Sequence, residues 1–132
     1  MSNRPSIETD LLRHASAVVG WLGVLMIAVL SLLPGSMLRA QTLIPGPLGH
    51  TLAYAATGVA LAFGYRRIGS RLLALGGLSF ASAIFEFLQA YTPGRSSSGV
   101  DVVASSGGAA LGILLGAVIA KLAVDAGIGH KS

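Results

Sequence analysis

The chain has 132 residues, of which 53% are hydrophobic and only 11% charged, against a usual charged share of about 25%. A soluble domain this small needs charge to cover its surface, so the composition excludes an ordinary water-soluble fold and points to lipid as the solvent. The net charge of +4 is scattered and has no aromatic platform beside it, which excludes nucleic acid, and the absence of cysteine excludes disulfides, thiolate metal sites and Cys nucleophiles.

A bilayer core of about 30 Å takes about 20 helical residues. The first such run, 15–33, carries no charge and ends at Pro34-Gly35. It is too long for a signal-peptide core, and Leu38-Arg39-Ala40 is a poor cleavage site, so it reads as a retained helix. The second run, 48–65, stops at Arg66-Arg67, and the third, 72–90, contains Glu86. The fourth, 102–124, holds Lys121 close enough to its end to snorkel. The expected fold is all-α: one domain over 1–132, an integral membrane bundle of four transmembrane helices. The alternative folds the second and third runs into one re-entrant hairpin.

With four spans, one side of the membrane holds the N-terminus, the middle loop and the C-terminus. That side collects Arg4, Arg13, Arg66, Arg67, Arg71, Lys121 and Lys131, whereas the other has Arg39 and Arg95. By the positive-inside rule both termini are cytoplasmic. His50, Tyr54, Glu86, Gln89, Arg95 and Asp101 then all fall towards the outer leaflet, from three separate spans. A carboxylate within a span costs about 2.5–3.5 kcal/mol on insertion scales, so Glu86 is expected to face inward and find a partner. Arg95, which grips carboxylates bidentately, and His50 are the candidates. A purely structural alternative makes Glu86, Gln89, Arg95 and Asp101 a clamp for the last hairpin, with Asp101 as a helix N-cap. Ser79, Ser82, Glu86 and Gln89 share one side of the third span, expected to face the bundle interior.

Gly108, Gly112 and Gly116 recur every four residues on the fourth span, and Ser105 extends their face. Small residues at this spacing let helices approach closely, within the bundle or, as the alternative, between two copies of the chain. Trp21 and Tyr65 read as packing or interfacial residues. Several motifs fail. Gly94-Arg95-Ser96-Ser97-Ser98-Gly99 has P-loop glycine spacing, but Val100-Asp101 stands where Lys-Ser/Thr is required. No serine lies in a G-x-S-x-G elbow. No helical His pair supports a metal at His50, Glu86 and Asp101, so neither metal nor other cofactor is expected.

Taken together, Gly49-His50-Thr51-Leu52-Ala53-Tyr54, Phe85-Glu86-Phe87-Leu88-Gln89, Gly94-Arg95 and Asp101 resemble the VanZ-like family. These are small four-helix membrane proteins named after an accessory factor in teicoplanin (glycopeptide) resistance. The resemblance spans roughly residues 31–116 and extends to Gly107 or Gly108 and Gly112. It departs at Pro47-Leu48-Gly49, where the family often has an acidic-Lys pair, and at Ser105-Ser106, where Asn commonly follows the Asp. It implies a bacterial plasma-membrane protein of the cell envelope. Three functions fit these residues. The first is binding of a lipid head group or lipid-linked cell-wall precursor by His50, Tyr54, Glu86, Gln89, Arg95 and Asp101. The second is a small membrane enzyme with Glu86 or His50 as acid/base. The third is a scaffold or assembly subunit using its glycine faces.

Overall fold

The computed structural model describes residues 7–38 and 46–126, which contain helices and no strand. Four long helices, α1 (Ile7–Leu32), α3 (Gly46–Gly64), α4 (Ile68–Gln89) and α5 (Gly99–Asp125), are joined by short connections, with a one-turn α2 (Gly35–Leu38) after the first. Arg4, Arg39 and Lys131 of the charge count lie outside the described residues.

Helix α1 starts before its apolar run. Glu8 and Asp10 sit in its first turn, where they complement the helix dipole, and Arg13 pairs with Asp10 at 3.3 Å. Pro34 then ends it, because the residue before a proline is pushed out of the helical region. The first turn of α5 corrects one expectation. The N-cap is Ser98, whose hydroxyl accepts from Val100 N at 3.2 Å, and Asp101 stands three residues further on inside the helix.

Three of these helices, α1, α4 and α5, are long and apolar enough to cross a membrane. Their exposed faces are hydrophobic, with Leu73 78% and Phe80 69% exposed and Leu25, Leu111 and Leu114 likewise bare. Such a continuous apolar surface would aggregate in water, and it is the normal exterior of a protein in lipid. The chain is therefore a multi-pass helical membrane protein. The α3 segment differs: at 19 residues it is about 28 Å long, but Gly46-Pro47-Leu48-Gly49-His50-Thr51 dilutes its first third. It is also the helix against which α1 and α5 pack most extensively.

The interior is small and mixes polar with apolar side chains. Ser31, Thr57, Ser82, Glu86, Gln89 and Ser105 are buried around a core of Ile27, Tyr54, Leu61, Leu78 and Ala109. Helix α1 lies antiparallel on α3, with Gly20 against Leu61 and Gly23 against Thr57. Helices α3 and α5 run parallel and meet along a seam of small residues. A Cβ added at Gly108 would overlap the backbone of Thr51, one at Gly112 the carbonyl of Ala55, and one at Gly116 would lie 2.7 Å from Val59 O. The glycine stripe of α5 thus faces α3 of the same chain, and backbone-to-backbone contact replaces side-chain filling.

Candidate functional site

The alternating direction of the four long helices carries the end of α1, the start of α3, the end of α4 and the start of α5 to one end of the bundle. Gln89 is 2% exposed, and its Nε2 donates to Ser31 O at 3.1 Å. Arg95 reaches the same helix end from the α4–α5 loop: its Nε donates to Leu33 O at 3.3 Å and its Nη2 to Leu30 O. With Leu33 N bonded to Val29 O, most carbonyls that α1 leaves open at its C-terminus are satisfied by these two side chains. The loop is further tied down where Gly35 N donates to Pro93 O at 3.4 Å. There Gly94 has φ +76°, and a side chain on Gly35 would strike its carbonyl.

Arg95 is thus not the partner of Glu86. The buried Glu86 carboxylate accepts from the backbone N–H of Ser98, the residue that caps α5. Among the described residues no cation pairs with it, since the one ion pair there is Arg13–Asp10. An arginine three residues before that cap does better at the α1 terminus, where several aligned carbonyls form the negative end of a helix dipole. Glu86 is compensated instead by a charge-assisted bond to an N–H at the positive end of α5.

Tyr54, 2% exposed, points its phenol at Ser82 and lies within electrostatic reach of Glu86. Asp101 is partly buried, and its Oδ1 is enclosed with no hydrogen-bond partner. His50 is half-buried on the first turns of α3, next to Thr51, whose hydroxyl donates to Pro47 O at 3.0 Å and approaches Ala104 O at 3.3 Å. No hydrogen bond joins His50 to any described residue. The six residues singled out from the sequence therefore divide. Gln89 and Arg95 fasten α1. Tyr54 and Glu86 form the buried centre, and Asp101 and His50 stand at its margin. Among the described residues no three His, Asp or Glu side chains are grouped closely enough to hold a metal ion.

Two residues escaped the sequence reading. Ser31 contributes only its carbonyl, which no residue type announces. Ser98 was visible in principle, because Ser98-Gly99-Val100-Asp101 has the Ser-x-x-acid spacing of a helix start. Compared with protein-family models, curated proteins and solved structures, the chain matches none of them.

Proposed function

We propose that the chain is a four-span, VanZ-like protein of the bacterial plasma membrane, with both termini cytoplasmic. Its outer polar cluster then binds the head group of a lipid or of a lipid-linked cell-wall precursor. The reading rests on one observation above all: the enclosed, unpartnered Oδ1 of Asp101, one turn beyond the Ser98 N–H that Glu86 holds. A buried carboxylate oxygen without a donor is costly, by roughly 1–3 kcal/mol or more for a charged group. A ligand that donates hydrogen bonds removes that cost. With Arg95 engaged on α1, the one enclosed atom left over at this end is a carboxylate acceptor, so the favoured head group presents hydroxyls or an ammonium rather than a bare phosphate. Sugar-bearing precursors and ethanolamine lipids both have this character.

The orientation has its own support. Arg13, Arg66, Arg67, Arg71 and Lys121 belong to the bundle end away from Glu86, where positive charge marks the cytoplasmic face. The α3 segment completes the fourth span: from Thr51 onward it packs along α5, and Tyr54, Thr57, Gly58, Leu61 and Ala62 are buried between its neighbours. A catalytic pairing of His50 with Glu86 has no hydrogen bond to support it, and the clamp made by Gln89 and Arg95 accounts for only that half of the cluster.

Native mass spectrometry of the purified chain tests the binding. Phosphatidylethanolamine and a monoglucosyl diacylglycerol are the donor-bearing probes, and phosphatidylcholine, whose head group has no donor, is the control. Wild type retains the first two over the third, and Asp101→Asn and Glu86→Gln each weaken that retention about tenfold while remaining folded. Equal retention of all three lipids, or folded variants that bind as wild type does, defeats the proposal. The cysteine-free sequence also allows single-cysteine mapping of orientation. Ser97→Cys reacts with an impermeant maleimide in intact cells, and Arg67→Cys only after permeabilisation.

A further inference from the structure

At the end of the bundle away from Glu86, a cleft of about 240 Å³ opens between the α3–α4 turn and the last two turns of α5. Its lining holds three basic residues, Arg66, Arg71 and Lys121, beside the apolar Ala117, Ala120 and Val124. Asp125 is the one acid, and it forms no ion pair with any of the three. Arg71 is fixed rather than floating: its Nε donates to Tyr65 O at 2.9 Å and to Ala62 O at 3.2 Å, and its Nη2 to Ala62 O at 2.9 Å. Those bonds leave Nη1 available on an immobilised guanidinium. Arg66 and Lys121 are exposed and make no hydrogen bond with the described residues. Three cations thus face one carboxylate across the cleft, which leaves it with a net positive charge. Exposed apolar side chains, Leu73 on α4 and Leu122 on α5, flank the same turns.

We infer that this cleft is a binding site for a phosphate group, with the phosphodiester of an anionic phospholipid as the favoured source. A preorganised guanidinium and two exposed cations match a phosphate's charge and its several acceptor oxygens. The flanking leucines give acyl chains a surface to lie along, which a free phosphate does not use. Basic pockets at the ends of membrane helices take anionic head groups for the same reasons. The site is separate from the acceptor-rich cluster around Glu86 and does not depend on it.

Melting of the full chain in an uncharged maltoside detergent reads this out, with dioctanoyl-phosphatidylglycerol, dioctanoyl-phosphatidylcholine and inorganic phosphate as probes. Phosphatidylglycerol raises the melting temperature saturably and phosphatidylcholine does not. Stabilisation by inorganic phosphate at the same concentrations keeps the phosphate site and assigns it to a soluble anion; stabilisation by the lipid alone assigns it to the membrane. Arg66→Gln with Lys121→Gln raises the half-saturating concentration about thirtyfold, whereas Arg67→Gln, on the same turn but outside the cleft, leaves it unchanged. If the double variant melts far below wild type, Lys121→Gln alone serves in its place, with a loss of about fivefold. A response to phosphatidylcholine equal to that to phosphatidylglycerol overturns the site. So does an Arg67→Gln effect as large as that of the cleft substitutions, or no effect from the latter.

Discussion

The two ends of this bundle use the same device and leave opposite remainders. At each, a helix stops with open carbonyls and an arginine from a later segment closes over them. Arg95 does this for α1 through Leu30 and Leu33, and Arg71 for α3 through Ala62 and Tyr65. At the Arg95 end the enclosed unmatched atom is an acceptor, Asp101 Oδ1; around Arg71 the unmatched groups are the cations Arg66 and Lys121. An arginine near a polar cluster in a membrane protein is thus weak evidence for ligand binding until the nearby helix ends have been accounted for. The sign of what is left over says more about the ligand than the arginine does.

This comparison can be broken most severely at the seam that holds both ends in register. Gly112→Val drives a branched side chain into Ala55 O and separates α3 from α5. It should cost about 3 kcal/mol or more, with loss of cooperative thermal unfolding in detergent. Retention of wild-type stability would mean that α3 and α5 do not meet as described.

Removing the caps comes next. Arg71→Ala and Arg95→Ala each leave helix carbonyls unsatisfied where water is scarce, and each should lower unfolding free energy by about 2 kcal/mol in denaturant titrations. Arg71 has three bonds against two, so the larger effect belongs to it. Lysine at either position should recover less than half of the loss, because a point charge cannot span two carbonyls as the planar fork does. If Arg95→Ala were neutral, the equivalence of the two ends would fail.

The smallest effect sharpens the contrast instead. Ser98→Ala removes the N-cap of α5 and should cost about 1 kcal/mol of stability. Because Glu86 binds the backbone N–H of Ser98 and not its hydroxyl, the Glu86 contact survives the substitution. Melting should therefore fall modestly while retention of donor-bearing lipids stays near the wild-type level.

The sequence made the long helices readable because apolar runs of span length have few alternatives. The apolar runs 15–33, 72–90 and 102–124 lie within or nearly within α1, α4 and α5. The burial of Ser82, Glu86 and Gln89 along one face of α4 was legible too, since helical spacing alone aligns them. Side-chain pairing was not. Opposite charge makes Arg95, beside His50, a candidate partner of Glu86, yet the competing partners of Arg95 are main-chain carbonyls of α1, some 60 positions earlier in the chain. Backbone groups carry no letter of their own, so an orphan carbonyl cannot be seen before the fold is known. For the same reason Arg71 shows in the sequence only as a topological charge. Trp21 and Tyr65, packing or interfacial residues by sequence, meet across α1 and α3: the Trp21 indole N–H donates to Tyr65 OH at 2.9 Å, a pairing that depends on the antiparallel placement of the two segments.

The modest hydropathy of α3 has a consequence for biogenesis. In the four-span arrangement, the least apolar segment is the one most enclosed by its neighbours, and its chief neighbour, α5, is synthesised 35 residues after α3 ends. When α3 leaves the ribosome, the surface that shelters Thr51 and Ala55 does not yet exist. Its settlement in the bilayer is then provisional, held by α1 and the basic turn at Arg66-Arg67 until α5 arrives. A chain stopped before residue 99 would expose α3 to membrane quality control, although every residue of that helix is already present.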